Sequence, residues 1–223
     1  MRKVISELKI MGINPLLISS ALVLVFALFA VLGGELLSLS NIGYEIIFPL
    51  FIAIGVCEWG KIKADENYDL IAAQIRSVFS WVFIRFFTVF CVLSLFTISS
   101  MVITCFVRGE MPMWEMILTY ISPAFFLSTL AVLFNLFFPQ EHISTLICGT
   151  FWLVTILARS LLRIPGIEYL YLFIRFADAK NSNWMINKVF VIIISCVIWI
   201  LIFFICENKL KVHKIYTRNH LTI

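Results

Sequence analysis

Uncharged apolar runs alternate with short charged connections along this chain. Residues 15–33 carry no charge, 77–106 carry only Arg85, and 116–140 and 143–158 carry none. A hydrocarbon layer of about 30 Å takes roughly 20 helical residues, so apolar runs of about 18 or more have the length of a crossing helix. The pattern predicts six spans, at 15–33, 45–57, 80–106, 116–138, 143–162 and 189–206. The second is short, so it must recruit 42–45 or lie partly inside the protein, and the third is long enough to tilt or protrude. The first run continues to Leu32 without a small-residue cleavage site behind a short core, and is read as a retained span.

The segments between the runs have patterns of their own. In 1–14, Val4, Leu8 and Met11 share a helical face, with Arg2, Lys3, Glu7 and Lys9 elsewhere; this predicts an amphipathic helix on the membrane surface. In 58–79, Ala64, Tyr68, Ile71, Ile75 and Phe79 recur at helical spacing, leaving Lys61, Lys63, Asp65, Glu66, Asp69, Gln74 and Arg76 on the remaining surface. Such a helix lies flat with its charged side open to a soluble partner. In 163–188, Ile164-Pro165-Gly166-Ile167 breaks the fifth helix, and apolar 169–176 has the length of a re-entrant or interfacial segment. Arg163 and Arg175 are then expected to face headgroups, with Tyr169, Tyr171 and Trp184 at the interface. Residues 207–223 form a basic tail.

Composition supports the membrane reading: 62% of residues are hydrophobic and 13% charged, about half the charged share of a soluble domain. The chain is thus expected to be an all-α integral membrane protein, one transmembrane domain over 1–223. With the N-terminus inside, inner segments hold ten cations (Arg2, Lys3, Lys9, Lys61, Lys63, Arg76, Lys209, Lys211, Lys214, Arg218) and outer segments six (Arg108, Arg159, Arg163, Arg175, Lys180, Lys188). That bias predicts both termini in the cytoplasm. The six cysteines show no C-x-x-C pair and read as reduced packing residues.

Little in the sequence carries chemistry. Gly55 to Ile62 reads G-x-x-x-x-G-K-I, one residue short of a phosphate loop, because Ile62 replaces the magnesium-binding hydroxyl and a membrane helix replaces the preceding strand. No ATP site is expected in this chain. Gln140-Glu141-His142 lacks the second histidine of a zinc protease, and His213 and His220 lie in the tail, away from any candidate nucleophile; neither an enzyme nor a metal site is expected. Thr88, Thr97 and Asn135 are polar groups inside spans, serving helix contact or lining a path. No acid or lysine is expected in mid-span.

The chain resembles the type-2 permease family of ABC transporters. Glu58-x-Gly60 leading into a helix that ends at Ile75-Arg76-Ser77, and Arg85 in the third span, are similar to that family's acidic-glycine motif, and Phe173-Ile-Arg-Phe-Ala-Asp, Trp184 and Asn187-Lys188 to its approach to the last span. The glycine is followed by Lys61 rather than threonine, and the proline expected near Ile75 is absent. The resemblance implies the membrane subunit of an ATP-driven exporter in a bacterial cell membrane, paired with a second permease, the same or different. Two separate ATPases, binding ATP and magnesium, would seat the coupling helix at about 61–75. Coupling would fall to Glu58, Gly60, Lys61, Asp65, Glu66, Asp69 and Arg76, with Glu58 paired to Arg85 or Arg76. The implied cargo is hydrophobic or amphipathic, such as an antimicrobial peptide. Membrane lipid is a partner and nucleic acid is not. A six-span immunity or assembly protein is the alternative, ahead of an intramembrane enzyme.

Overall fold

Gly33 and Gly34 both take positive φ, 72° and 61°, and turn the first helix back along the second. A left-handed pair at a helix end suits glycine, which has no Cβ to clash. The computed structural model describes residues 14–59, 78–108, 112–138, 142–164, 166–178 and 181–220, and among these it is all-helical. The helices are α1 (Asn14–Leu32), α2 (Glu35–Trp59), α3 (Val78–Arg108), α4 (Met113–Phe137), α5 (Ile143–Leu157), the four-residue α6 (Ile174–Ala177) and α7 (Trp184–His220). Two 3-10 stretches, Ala158–Arg163 and Ile167–Tyr169, join α5 to α6.

All of these except α6 are long and apolar enough to cross a membrane, α5 with its 3-10 extension, consistent with a multi-pass membrane protein. Helices suit that solvent because each satisfies its own backbone hydrogen bonds. α2 and α4 make the most extensive pairing, α1 packs on α2 and α3, and α7 packs on α4 and α3. The core between them holds Phe26, Tyr44, Phe48, Phe86, Tyr120 and Trp199. α5 is peripheral: only 6% of its apolar window is buried, and Leu146, Leu153, Val154 and Leu157 point outward. Hydrocarbon accepts such a face; water would not.

Helix ends pair in two sets. The start of α3 (Phe79, Phe83) meets the later part of α7 (Trp199, Phe203), while the end of α2 meets the start of α5. At the opposite end lie the starts of α2, α4 and α7 with the α5–α7 connection.

Several expected boundaries move. The second span begins at Glu35 rather than residue 45, which places Glu45 ten positions inside the helix. The last helix begins at Trp184 rather than 189, taking in Lys188, and it continues to His220 rather than ending at 206. The α-helical part of the fifth span stops at Leu157 and tightens into a 3-10 turn that ends at Arg163, ahead of Gly166, which takes φ 89°. The expected surface helix at 1–14 lies outside the described residues except for Asn14, and so does most of 58–79.

Candidate functional site

The four-residue α6 cannot satisfy its own first amides, and its N-cap position is Phe173, which has no side-chain acceptor. Glu45 of α2 fills that role from another helix. Its Oε1 accepts from the Arg175 amide at 3.2 Å and its Oε2 from the Phe176 amide at 2.6 Å. Lys188 of α7 donates its Nζ to Glu45 Oε1 at 2.5 Å and to the Leu172 carbonyl at 3.0 Å. Both side chains are buried, Lys188 at 0% and Glu45 at 2% exposure. Beside Lys188, the Asn187 amide donates to the carbonyls of Glu168 and Tyr171 at 2.7 and 2.9 Å. The segment 171–177 is therefore folded into the bundle, with Tyr171, Leu172, Phe173, Ile174 and Ala177 buried.

More charges lie alongside. Arg175 donates Nη1 to Glu115 Oε2 at 2.8 Å and stacks over Trp184, which in turn stacks on Trp114. Arg159 donates to the Ala177 carbonyl and lies over the Phe176 ring. A charge taken out of water is tolerated when paired and hydrogen-bonded, and Glu45, Lys188, Glu115 and Arg175 all meet that condition. Burial first, and the Glu45 carboxylate second, push the Tyr171 phenol above its ordinary value, with Arg159 opposing.

These contacts correct the sequence reading. An acid does stand in mid-helix, and a lysine is buried beside it. Arg175 turns to Glu115 and Trp184 rather than to headgroups, and Tyr171 is buried rather than interfacial. Two hints were present in the sequence: Glu45 capped a span too short to cross alone, and Asn187-Lys188 preceded the last apolar run.

A cavity of about 310 Å³ adjoins the network, lined by Ser38, Ile42, Glu45, Met116, Thr119 and Arg175 among others. Ser38 is exposed and Glu45 buried, so it descends from the start of α2 toward the ion pair.

At the other end of α2, Glu58 Oε1 accepts from Thr145 Oγ1 at 2.5 Å and lies 3.3 Å from His142 Nδ1, tying α2 to the first turn of α5. Asn135 of α4 donates to the carbonyls of Val56 and Cys57, each at 3.3 Å, so it acts as a helix contact. Thr88 and Thr97 donate to carbonyls four residues back, Ile84 and Leu93. Arg85 is buried with its guanidinium 5.0 Å from the Trp81 ring centre. Gly60, Lys61, Asp65, Glu66, Asp69 and Arg76 lie outside the described residues. Among the described residues no group of three or more His, Cys, Asp or Glu is placed to hold a metal.

Fold and site together define an all-helical protein with six helices able to span a membrane and a buried ionic network near one end. Compared with known proteins, the chain matches no family model, no curated protein and no solved structure.

Proposed function

We propose that this chain is the membrane subunit of an ATP-driven exporter of the ABC type, residing in a bacterial plasma membrane and working with a second permease and two separate ATPases. The observation that carries this reading is the α5–α7 connection, folded back among the helices and held by Glu45 beside a cavity. Intramembrane charges are costly and are kept where they serve a site or a moving part. In sequence the charged connection 60–77 comes directly after the end of α2, where Glu58 meets His142 and Thr145. A load on it would pass through Glu58 into α5 and onward to the 3-10 turn and segment 171–177. ATP and magnesium belong to the partner ATPase. In this reading two cations of the outer connection, Arg175 and Lys188, no longer weigh against the cytoplasmic placement of both termini, because each is paired with a carboxylate inside the protein.

Co-expression with a candidate ABC-type ATPase from the same cell tests the proposal. The two are expected to co-purify, and charge reversal at Asp65, Glu66 and Asp69 is expected to abolish stimulation of ATP hydrolysis without breaking up the membrane subunit. Full stimulation in the reversed variant would refute the coupling role.

A second reading, a six-span immunity or assembly protein that moves nothing, is favoured by one observation. The hydroxyls of Thr88 and Thr97, candidates for a polar path, are turned back onto their own helix. Purification without any ATPase, with function intact, would select it.

A further inference from the structure

We infer that the cavity beside Glu45 binds an uncharged amphiphile, its apolar body against Ile42, Met116 and Phe176 and one hydrogen-bonding group on Thr119. As the cargo class of the exporter, this rests on the reading above; as a ligand site it stands on the geometry alone.

The cavity's volume, about 310 Å³, is at the small end of the roughly 300–1,000 Å³ typical of small-molecule pockets. Its two charged lining residues are already engaged. Both Glu45 oxygens accept hydrogen bonds, from Lys188 and two backbone amides, and Arg175 is held by Glu115 and stacked on Trp184. A charged ligand would have to displace one of these partners or enter unpaired, and either is penalised away from water. A neutral one disturbs nothing.

The hydroxyls of the lining point to the polar contact. Tyr44 Oη is shared with Ser100 and Thr104, and Ser38 Oγ donates to the Glu35 carbonyl. Thr119, 7% exposed, has a buried Oγ1 with no hydrogen-bond partner. Buried hydroxyls nearly always have partners, and because Thr119 lines the cavity, rotation about its χ1 would bring the enclosed Oγ1 to a ligand carbonyl, hydroxyl or amide there. Half-buried Asn41, near the exposed Ser38, adds an amide at the mouth.

Benzophenone tests this directly, since it is neutral, has one carbonyl, and on irradiation inserts into methionine C–H bonds. Met116 lines the cavity, while Met113 and Met185 are exposed nearby and report partition into the surrounding amphiphile. The purified full chain is irradiated with benzophenone, 4-carboxybenzophenone or 4-(aminomethyl)benzophenone, and label at each methionine is read by mass spectrometry. The ratio of Met116 label to Met113 and Met185 label is expected to saturate with benzophenone. It should fall by about tenfold or more with either charged analogue, a lower bound for bringing an unpaired charge into such a site. Asn41→Trp should close the mouth and remove the Met116 label while sparing the other two. If that variant does not fold, Ser38→Trp, at an exposed position, makes the same test. Equal ratios for charged and neutral probes, or a Met116 label untouched by mouth closure, would overturn the assignment. Added phospholipid that competes with the label identifies an acyl chain as the neutral occupant, and a label that persists identifies a non-lipid amphiphile. Specific label without any ATPase partner leaves the site and removes the exporter; intact ATPase coupling without specific label does the reverse.

Discussion

Glu45 and Lys188 are 143 residues apart in the chain and meet 2.5 Å apart inside the bundle. The same carboxylate also receives the Arg175 and Phe176 amides, so it holds two helices and the segment between them. Removing one member of a buried pair leaves an uncompensated charge, which costs about 3–5 kcal/mol. Lys188→Met alone and Glu45→Leu alone are each expected to lower thermal stability in detergent by that order. The double variant should lose less than the sum, because no lone charge remains. It should not recover fully, because the amides of α6 still lack an acceptor. Strictly additive losses would show that the two side chains do not depend on one another.

Gly43 sets the approach of α1 to α2. A Cβ there would stand 2.1 Å from Phe26 Cε1, and the Phe26 ring has little room to move because Phe29, Tyr44 and Phe48 surround it. Gly43→Ala is expected to cost about 1–3 kcal/mol of stability by overpacking. Adding Phe26→Leu should return part of the loss, a compensation that melting curves of the single and double variants will reveal or exclude.

Arg175 serves two partners of different shape, a carboxylate and an indole face. Lysine can keep the first but loses the planar stack over Trp184, 4.6 Å away. Arg175→Lys is expected to lie between wild type and Arg175→Ala in stability, about 1 kcal/mol below wild type for the lost cation–π contact. Trp184→Leu should remove most of the difference between Arg and Lys. If Lys remains inferior to Arg by the same margin in the Trp184→Leu background, the stack contributes nothing.

Asn135 ties α4 to the carbonyls of Val56 and Cys57 near the end of α2. Asn135→Leu should cost about 1–2 kcal/mol, two modest hydrogen bonds. In the exporter reading, it should also weaken the stimulation of ATP hydrolysis more than it weakens binding of the ATPase. Measuring both in one preparation separates the two effects.

Helix number and rough position follow from apolar runs alone, because a bilayer fixes the length of what crosses it. Positions such as Glu45 do not. A charged residue at the edge of a run ends a hydropathy window, yet in three dimensions α2 continues for ten residues before Glu45, through Leu36, Leu37 and Leu39. Lys188 was masked for the same reason, standing one residue ahead of the uninterrupted run that begins at Val189. The partner of a buried charge lies on another helix, and one sequence holds no record of which helices touch. The Pro165-Gly166 break was legible because backbone chemistry is local; the burial of Tyr171 behind it depended on Glu45, which is not.

The buried pair also imposes an order on biogenesis. Synthesis runs from the N-terminus, so Glu45 is made 143 residues before Lys188. Until α7 arrives, α2 carries a carboxylate without its cation, and segment 171–177 has no complete latch. The last helix is therefore the one that closes the assembly. Chains ending before Trp184 are expected to leave α2 loosely inserted and open to protease, with the nascent protein dependent on the insertion machinery until its final helix is delivered.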